Sequence, residues 1–134
     1  MLAAALAASL SACGDDGDRE NALRPPAPIN VTAAIDGDRI RVSPRTFGAG
    51  PVVFVISNQS GDVQQLTFET DELGGDAGGI QRSTGDIATR STGTLQVDVR
   101  EGTYRLSASA GGIRPAAVEV SAPRRSAQNE LLQP

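Results

Sequence analysis

Between residues 29 and 121 the apolar side chains fall at every second position, and that period of two restricts the segment to β-structure. Ile29, Val31, Ala33 and Ile35 alternate with Asn30, Thr32 and Ala34, as in a strand with one buried face. Asp36-Gly37-Asp38 has the chemistry of a turn, and Ile40 and Val42 resume the alternation beyond it. After a loop at residues 44–50, Val52-Val53-Phe54-Val55-Ile56 is unbroken and rich in β-branched side chains, which predicts a central strand. A turn at residues 58–62 leads to inward-facing Leu66 and Phe68. Residues 71–93 are polar, with Ile80 and Ile87 the only large aliphatic side chains besides Leu73. Leu95, Val97 and Val99, then Tyr104, Leu106 and Ala108, then Val118 and Val120 complete the pattern. Seven to eight short strands separated by frequent turns predict an all-β, antiparallel Greek-key sandwich. No stretch has a helical period.

Composition narrows the chemistry such a sandwich can perform. The 134 residues include no histidine, no lysine and no tryptophan, and all 12 basic residues are arginine. Without histidine there is no imidazole base and no imidazole metal ligand, and without lysine no Schiff base. No nucleophile–base pair can be assembled, so the chain is not expected to be an enzyme. A formal net charge of −4 gives no electrostatic footprint for nucleic acid. One tyrosine and no tryptophan provide almost no platform on which a sugar or a base could stack. Tyr104 is expected to point inward and bond its hydroxyl to nearby backbone, a known device of β-sandwiches.

The ends of the chain read differently from its middle. Residues 1–12 are an uncharged apolar run, too short for a helix of about 20 residues that spans a bilayer but of the length of a signal-peptide core. Leu10-Ser11-Ala12-Cys13 resembles the bacterial lipobox, which implies cleavage before Cys13 and a diacylglyceryl group on its sulfur. No basic residue precedes the apolar run; a start upstream of Met1 would supply one. The only cysteine of the chain cannot close an intrachain disulfide, and lipidation accounts for it. Residues 13–28 then form a charged, proline-terminated tether, residues 29–121 the folded domain, and residues 122–134 a flexible tail. Leu131-Leu132 in that tail could dock on a partner.

The order of motifs within the domain carries a further likeness. Ser43-Pro44, followed by the run from Gly50-Pro51 through Val52, Phe54 and Ile56 to Asn58, resembles cupredoxin-like domains. The variant it most resembles is that of exported bacterial proteins related to the iron-uptake (EfeO-type) cupredoxin domain, and Gly102-Thr103-Tyr104 matches that family's G-x-Y strand. An immunoglobulin-like sandwich is the alternative. The resemblance implies a copper site with a histidine at the position of Gln64, a cysteine at that of Ala108, and a histidine and methionine in the loop that follows. Here residues 109–117 hold no histidine, cysteine or methionine. A blue-copper site needs two imidazoles and a thiolate, so the degenerate positions Gln64 and Ala108 imply a scaffold with no copper and no cofactor. Gln64 is expected to face inward and bond to neighbouring loop backbone.

Two functional expectations follow. The first is a lipid-anchored, extracytoplasmic accessory module of the cell envelope that binds another envelope protein. The alternative is a small-ligand or calcium-type carrier whose oxygen ligands would come from Asp71, Glu72, Asp76 and Asp86. Calcium takes six to eight oxygens at 2.3–2.6 Å, so those four carboxylates would have to converge.

Overall fold

The computed structural model describes residues 24–71 and 78–126, which form eight strands and no helix. In chain order they are β1 (Ile29–Ile35), β2 (Ile40–Ser43), β3 (Thr46–Asn58), β4 (Leu66–Thr70), β5 (Gln81–Ser83), β6 (Thr92–Val99), β7 (Gly102–Ala108) and β8 (Ala116–Pro123). β3 is long enough to serve two layers. Its upper part, from Gly50 onward, pairs with β1 and β6, giving one layer in the order β2-β1-β3-β6. Its first residues pair with β8, giving the second layer β3-β8-β7-β4-β5. The change of layer falls at a bulge in the β3–β8 pair, where Ala122 of β8 is the extra residue between the Gly48–Ser121 and Ala49–Pro123 pairs.

The two-residue period places the core. Val31, Ala33 and Ile35 of β1, Val52, Phe54 and Ile56 of β3, and Leu66 and Phe68 of β4 are all buried, as are Val97, Tyr104, Leu106, Val118 and Val120. The few aromatic residues are spent in one place: Phe47, Phe54, Phe68 and Tyr104 form a chain with ring centroids 6.3, 5.0 and 4.8 Å apart. Tyr104 stacks on Phe68 and donates its hydroxyl to the carbonyl of Arg100 at 2.9 Å, while accepting from the Arg100 amide. The one polar atom of that aromatic chain is thereby satisfied by the turn that precedes its own strand.

Three features differ from the sequence expectation. The sandwich is not antiparallel throughout, because β1 and β8 both run parallel to β3. Alternation specifies which side chains face inward but is the same for either strand direction, so the period could not have shown this. The loop expected at residues 44–50 is the start of β3, and the polar stretch 71–93 contributes the short strand β5. Finally, β8 continues to Pro123, two residues past the boundary drawn at residue 121, and residues 124–126 are packed against the domain.

Arg124 explains the early start of β3 and the continuation of the domain past residue 121. Its guanidinium donates to the carbonyls of Gly48 and Ala49 through Nε, to Ala27 through Nη1 and to Pro51 through Nη2, the last at 2.6 Å. One side chain thus satisfies the backbone that the bulge exposes and ties down the segment leading into β1. The close approach accounts for the glycines that made residues 44–50 look like a loop. A Cβ on Gly48 would lie 2.5 Å from Arg124 Cγ, and Gly50 adopts φ +125° beside the guanidinium. Replacing Arg124 with alanine is expected to destabilise the fold by about 2 kcal/mol, since hydrogen bonds from a charged group are lost to half-buried carbonyls. Exposed Arg125 replaced the same way should change stability by less than about 0.5 kcal/mol. Urea denaturation of the two variants measures the difference.

Candidate functional site

The positions that the family pattern assigns to copper come together at one end of the second layer. Gln64 stands two residues before β4, and its backbone exchanges hydrogen bonds with Ile87, N to O at 3.1 Å and the reverse at 2.8 Å. Leu66 pairs with Ala108, which brings the loop after β7 against the chain just ahead of β4. Ser109 bonds this junction twice, its amide to the carbonyl of Gln65 and its hydroxyl accepting from the Gln65 amide, each at 3.0 Å. Residue 64 and residues 108–110 are therefore neighbours.

The side chain of Gln64 is 1% exposed and lies inward like Leu66 and Phe68. Its Oε1 accepts from the Ala110 amide at 3.1 Å and the Ser109 hydroxyl at 3.2 Å. An amide N–H can only be met by an oxygen, so these bonds also settle which end of the carboxamide points inward. Among the described residues nothing accepts from Nε2, and no buried side-chain nitrogen or oxygen is left without a partner. Val63, the neighbouring residue in sequence, is at 55% the one exposed large hydrophobic among the described residues.

A second polar knot holds the same end. Asn58, the last residue of β3, is fully buried, and all of its side-chain capacity is used. Nδ2 donates to the carbonyls of Asp62 and Ile87, both at 2.8 Å, and Oδ1 accepts from the amide and hydroxyl of Ser60. Ile87 is the common element, bonded through its backbone to both Asn58 and Gln64. Its side chain in turn lies over Gly93, where an added Cβ would meet Ile87 Cδ1 at 2.7 Å.

These residues do not fit copper. The only side-chain donor atom facing inward at residue 64 is a carboxamide oxygen that two hydrogen bonds already occupy, and position 108 carries a methyl group. Neither offers the imidazole or thiolate that copper requires. Among the described residues no group of three His, Cys, Asp or Glu side chains could hold any metal ion.

Of the carboxylates of the proposed oxygen-ligand loop, the two among the described residues, Asp71 and Asp86, do not come together. Asp71 follows β4, donates its amide to the Thr103 carbonyl and pairs with Arg105 at 3.1 Å. Asp86 accepts from Gln65 Nε2 at 2.7 Å, ahead of β4. The two are thus at opposite ends of a strand, roughly 20 Å apart at about 3.3 Å per residue. Glu72 and Asp76 lie outside the described residues, as do Leu10, Ser11, Ala12 and Cys13. Sequence reasoning passed over Asn58 as a structural centre, although a polar residue closing an apolar run and followed by a serine two places on is its signal. For Arg124 there was none, because nothing in Pro123-Arg124-Arg125 separates one arginine from the other.

The order of pairing, the bent β3 that serves both layers, and the convergence of residues 64 and 108 define a cupredoxin-like β-sandwich. Among solved structures the chain is similar to auracyanin A, a "blue" copper protein from the green thermophilic photosynthetic bacterium Chloroflexus aurantiacus. The TM-score is 0.56 at 14% sequence identity, over 71% of this chain and 100% of that one. No protein-family model and no curated protein sequence matches the chain.

Proposed function

We propose that this protein is a membrane-anchored, extracytoplasmic binding module of the cell envelope, built on a cupredoxin-like sandwich that works without copper. The observation that supports the reading is the placement of the segments that flank the strands, at Ala27 and at Arg124. β8 runs from Ala116, opposite Leu106, to Pro123, just past the Val120–Gly102 pair, and Arg124 then ties down Ala27. Both the segment leading in and the segment leading out thus sit at one end of the β7–β8 pair. Gln64 and the loop after Ala108 occupy the opposite end. A tether over residues 13–28, lipidated at Cys13, would span roughly 20 Å as a coil and hold the domain by the Arg124 end. The opposite end, which carries exposed Val63 and the loop after Ala108, then faces away from the bilayer. The diacylated cysteine supplies the two chains that stable anchoring requires.

Replacing Cys13 with serine is expected to move the protein from the membrane fraction to the soluble extracytoplasmic fraction. A C13S protein with a processed signal that still sediments with membranes after a high-salt wash contradicts the anchoring. The carrier reading has no comparable support, since Asp71 and Asp86 are engaged at opposite ends of β4.

A further inference from the structure

Among the described residues, the one long strand with an unused edge is β6. It pairs with β3 along residues 92–99, and among the described residues none of its backbone groups bonds to anything beyond that ladder. Natural sheets usually blunt such an edge with lysine, proline or a short strand. β6 does none of these: it has eight residues, no proline and a single charge, Asp98. A cleft of about 550 Å³ runs beside this edge, lined by residues 96–98 and Arg100 from one segment and by residues 78–80 and Arg82 from the other. β5, which carries Arg82, is itself paired only with β4, so the cleft lies between two strands that each lack a second neighbour.

The charge of the cleft is set by its arginines. Arg82 donates to the carbonyl of Gln81, and Arg100 is held through its backbone by the Tyr104 hydroxyl. Among the described residues neither guanidinium has a carboxylate partner, although Asp98 shares the cleft. The cleft therefore presents two guanidiniums, from Arg82 and Arg100, against the one carboxylate of Asp98.

We infer that β6 receives an extended acidic segment of a partner protein as an added strand, with Arg82 and Arg100 taking its carboxylates. The ladder would supply affinity through main-chain hydrogen bonds, and the guanidiniums would select for acid side chains by charge-assisted bonds. A second copy of this chain fits less well, because its own β6 brings one carboxylate to two arginines. The inference gives the binding-module reading a particular surface and partner chemistry. It is tested in solution, so its failure leaves the membrane anchoring to be judged separately by the C13S fractionation.

The probe is an acetylated and amidated hexapeptide of alternating valine and glutamate, titrated into the full-length purified protein. Backbone amide resonances of residues 92–99 report the contact. Saturable shifts along β6 are expected, weakening as salt rises. Affinity should fall about tenfold when glutamine replaces glutamate in the peptide, and about as much in the Arg82→Gln/Arg100→Gln double variant. Both arginines are exposed, so that variant keeps the fold, which its melting curve verifies. A peptide N-methylated on its valines keeps the charge but loses backbone donors, and should also lose binding. Absence of shifts along β6 overturns the inference, as does equal binding of the N-methylated peptide or indifference to the double substitution. Concentration-dependent dimerisation through the same residues would assign the edge to a second copy and overturn the acidic partner.

Discussion

Replacing Phe68 with alanine is expected to lower stability by about 3–5 kcal/mol, close to the whole stability of many domains of this size. Phe68 is fully buried and is the hub of the aromatic chain, 5.0 Å from Phe54 and 4.8 Å from Tyr104. Truncation removes the transfer free energy of the ring and leaves a cavity that neither neighbour can fill. Phe54 is held between two paired strands, and Tyr104 is pinned by its hydroxyl to Arg100. With three phenylalanines and one tyrosine in the chain, no other aromatic residue can substitute. The same change at exposed Val63 should cost less than about 0.5 kcal/mol. Chemical denaturation of both variants measures the contrast; a Phe68→Ala protein within 1 kcal/mol of the native one, on the order of an ordinary surface change, would mean that the core is not packed as described.

The second large effect is expected at Asn58. Replacement by leucine keeps the approximate volume and removes four hydrogen bonds at a fully buried position. Not all of the partners are orphaned. The Ile87 carbonyl still accepts from the Gln64 amide, and the Ser60 hydroxyl, released from Asn58 Oδ1, can donate to the Asp62 carbonyl instead. The Ser60 amide loses its acceptor outright, and the turn at residues 58–62 loses the side chain around which it closes. A buried donor left without a partner costs about 1–3 kcal/mol, so the total should reach about 3 kcal/mol. The effect extends beyond stability, because Ile87 links Asn58 to Gln64. Asn58→Leu should therefore speed hydrogen exchange at the Ala110 amide, whose acceptor is Gln64 Oε1. Unchanged protection there would uncouple the two knots.

What could be read in the residues, and what could not, divides along physical lines. Inward-facing positions were legible because burial imposes a period: Val31, Phe54, Leu66, Phe68 and Leu106 are all at 0% exposure. Tyr104 was legible because a buried hydroxyl must find a partner, and the preceding turn was the nearest source. Strand direction was not, since β1 beside β3 looks the same from either direction. The start of β3 was hidden by Gly48 and Gly50, which mimic a loop but are required by the approach of Arg124, about 75 residues away in sequence. Such a contact leaves no local trace. At the site, the residue types at 64 and 108 spoke clearly against copper. That the Gln64 carboxamide oxygen meets residues 109 and 110 came only from seeing which donors surround it.

The central claim is that a cupredoxin-like scaffold is used here without its metal, and titration of the purified protein with Cu²⁺ tests it most directly. With Gln64 and Ala108 at the positions to which the cupredoxin resemblance assigns ligands, the titration should produce no thiolate-to-copper charge-transfer absorption and no rise in melting temperature. An intense visible band, or a Cu²⁺-dependent stabilisation of several degrees that survives removal of residues 1–23, would contradict it.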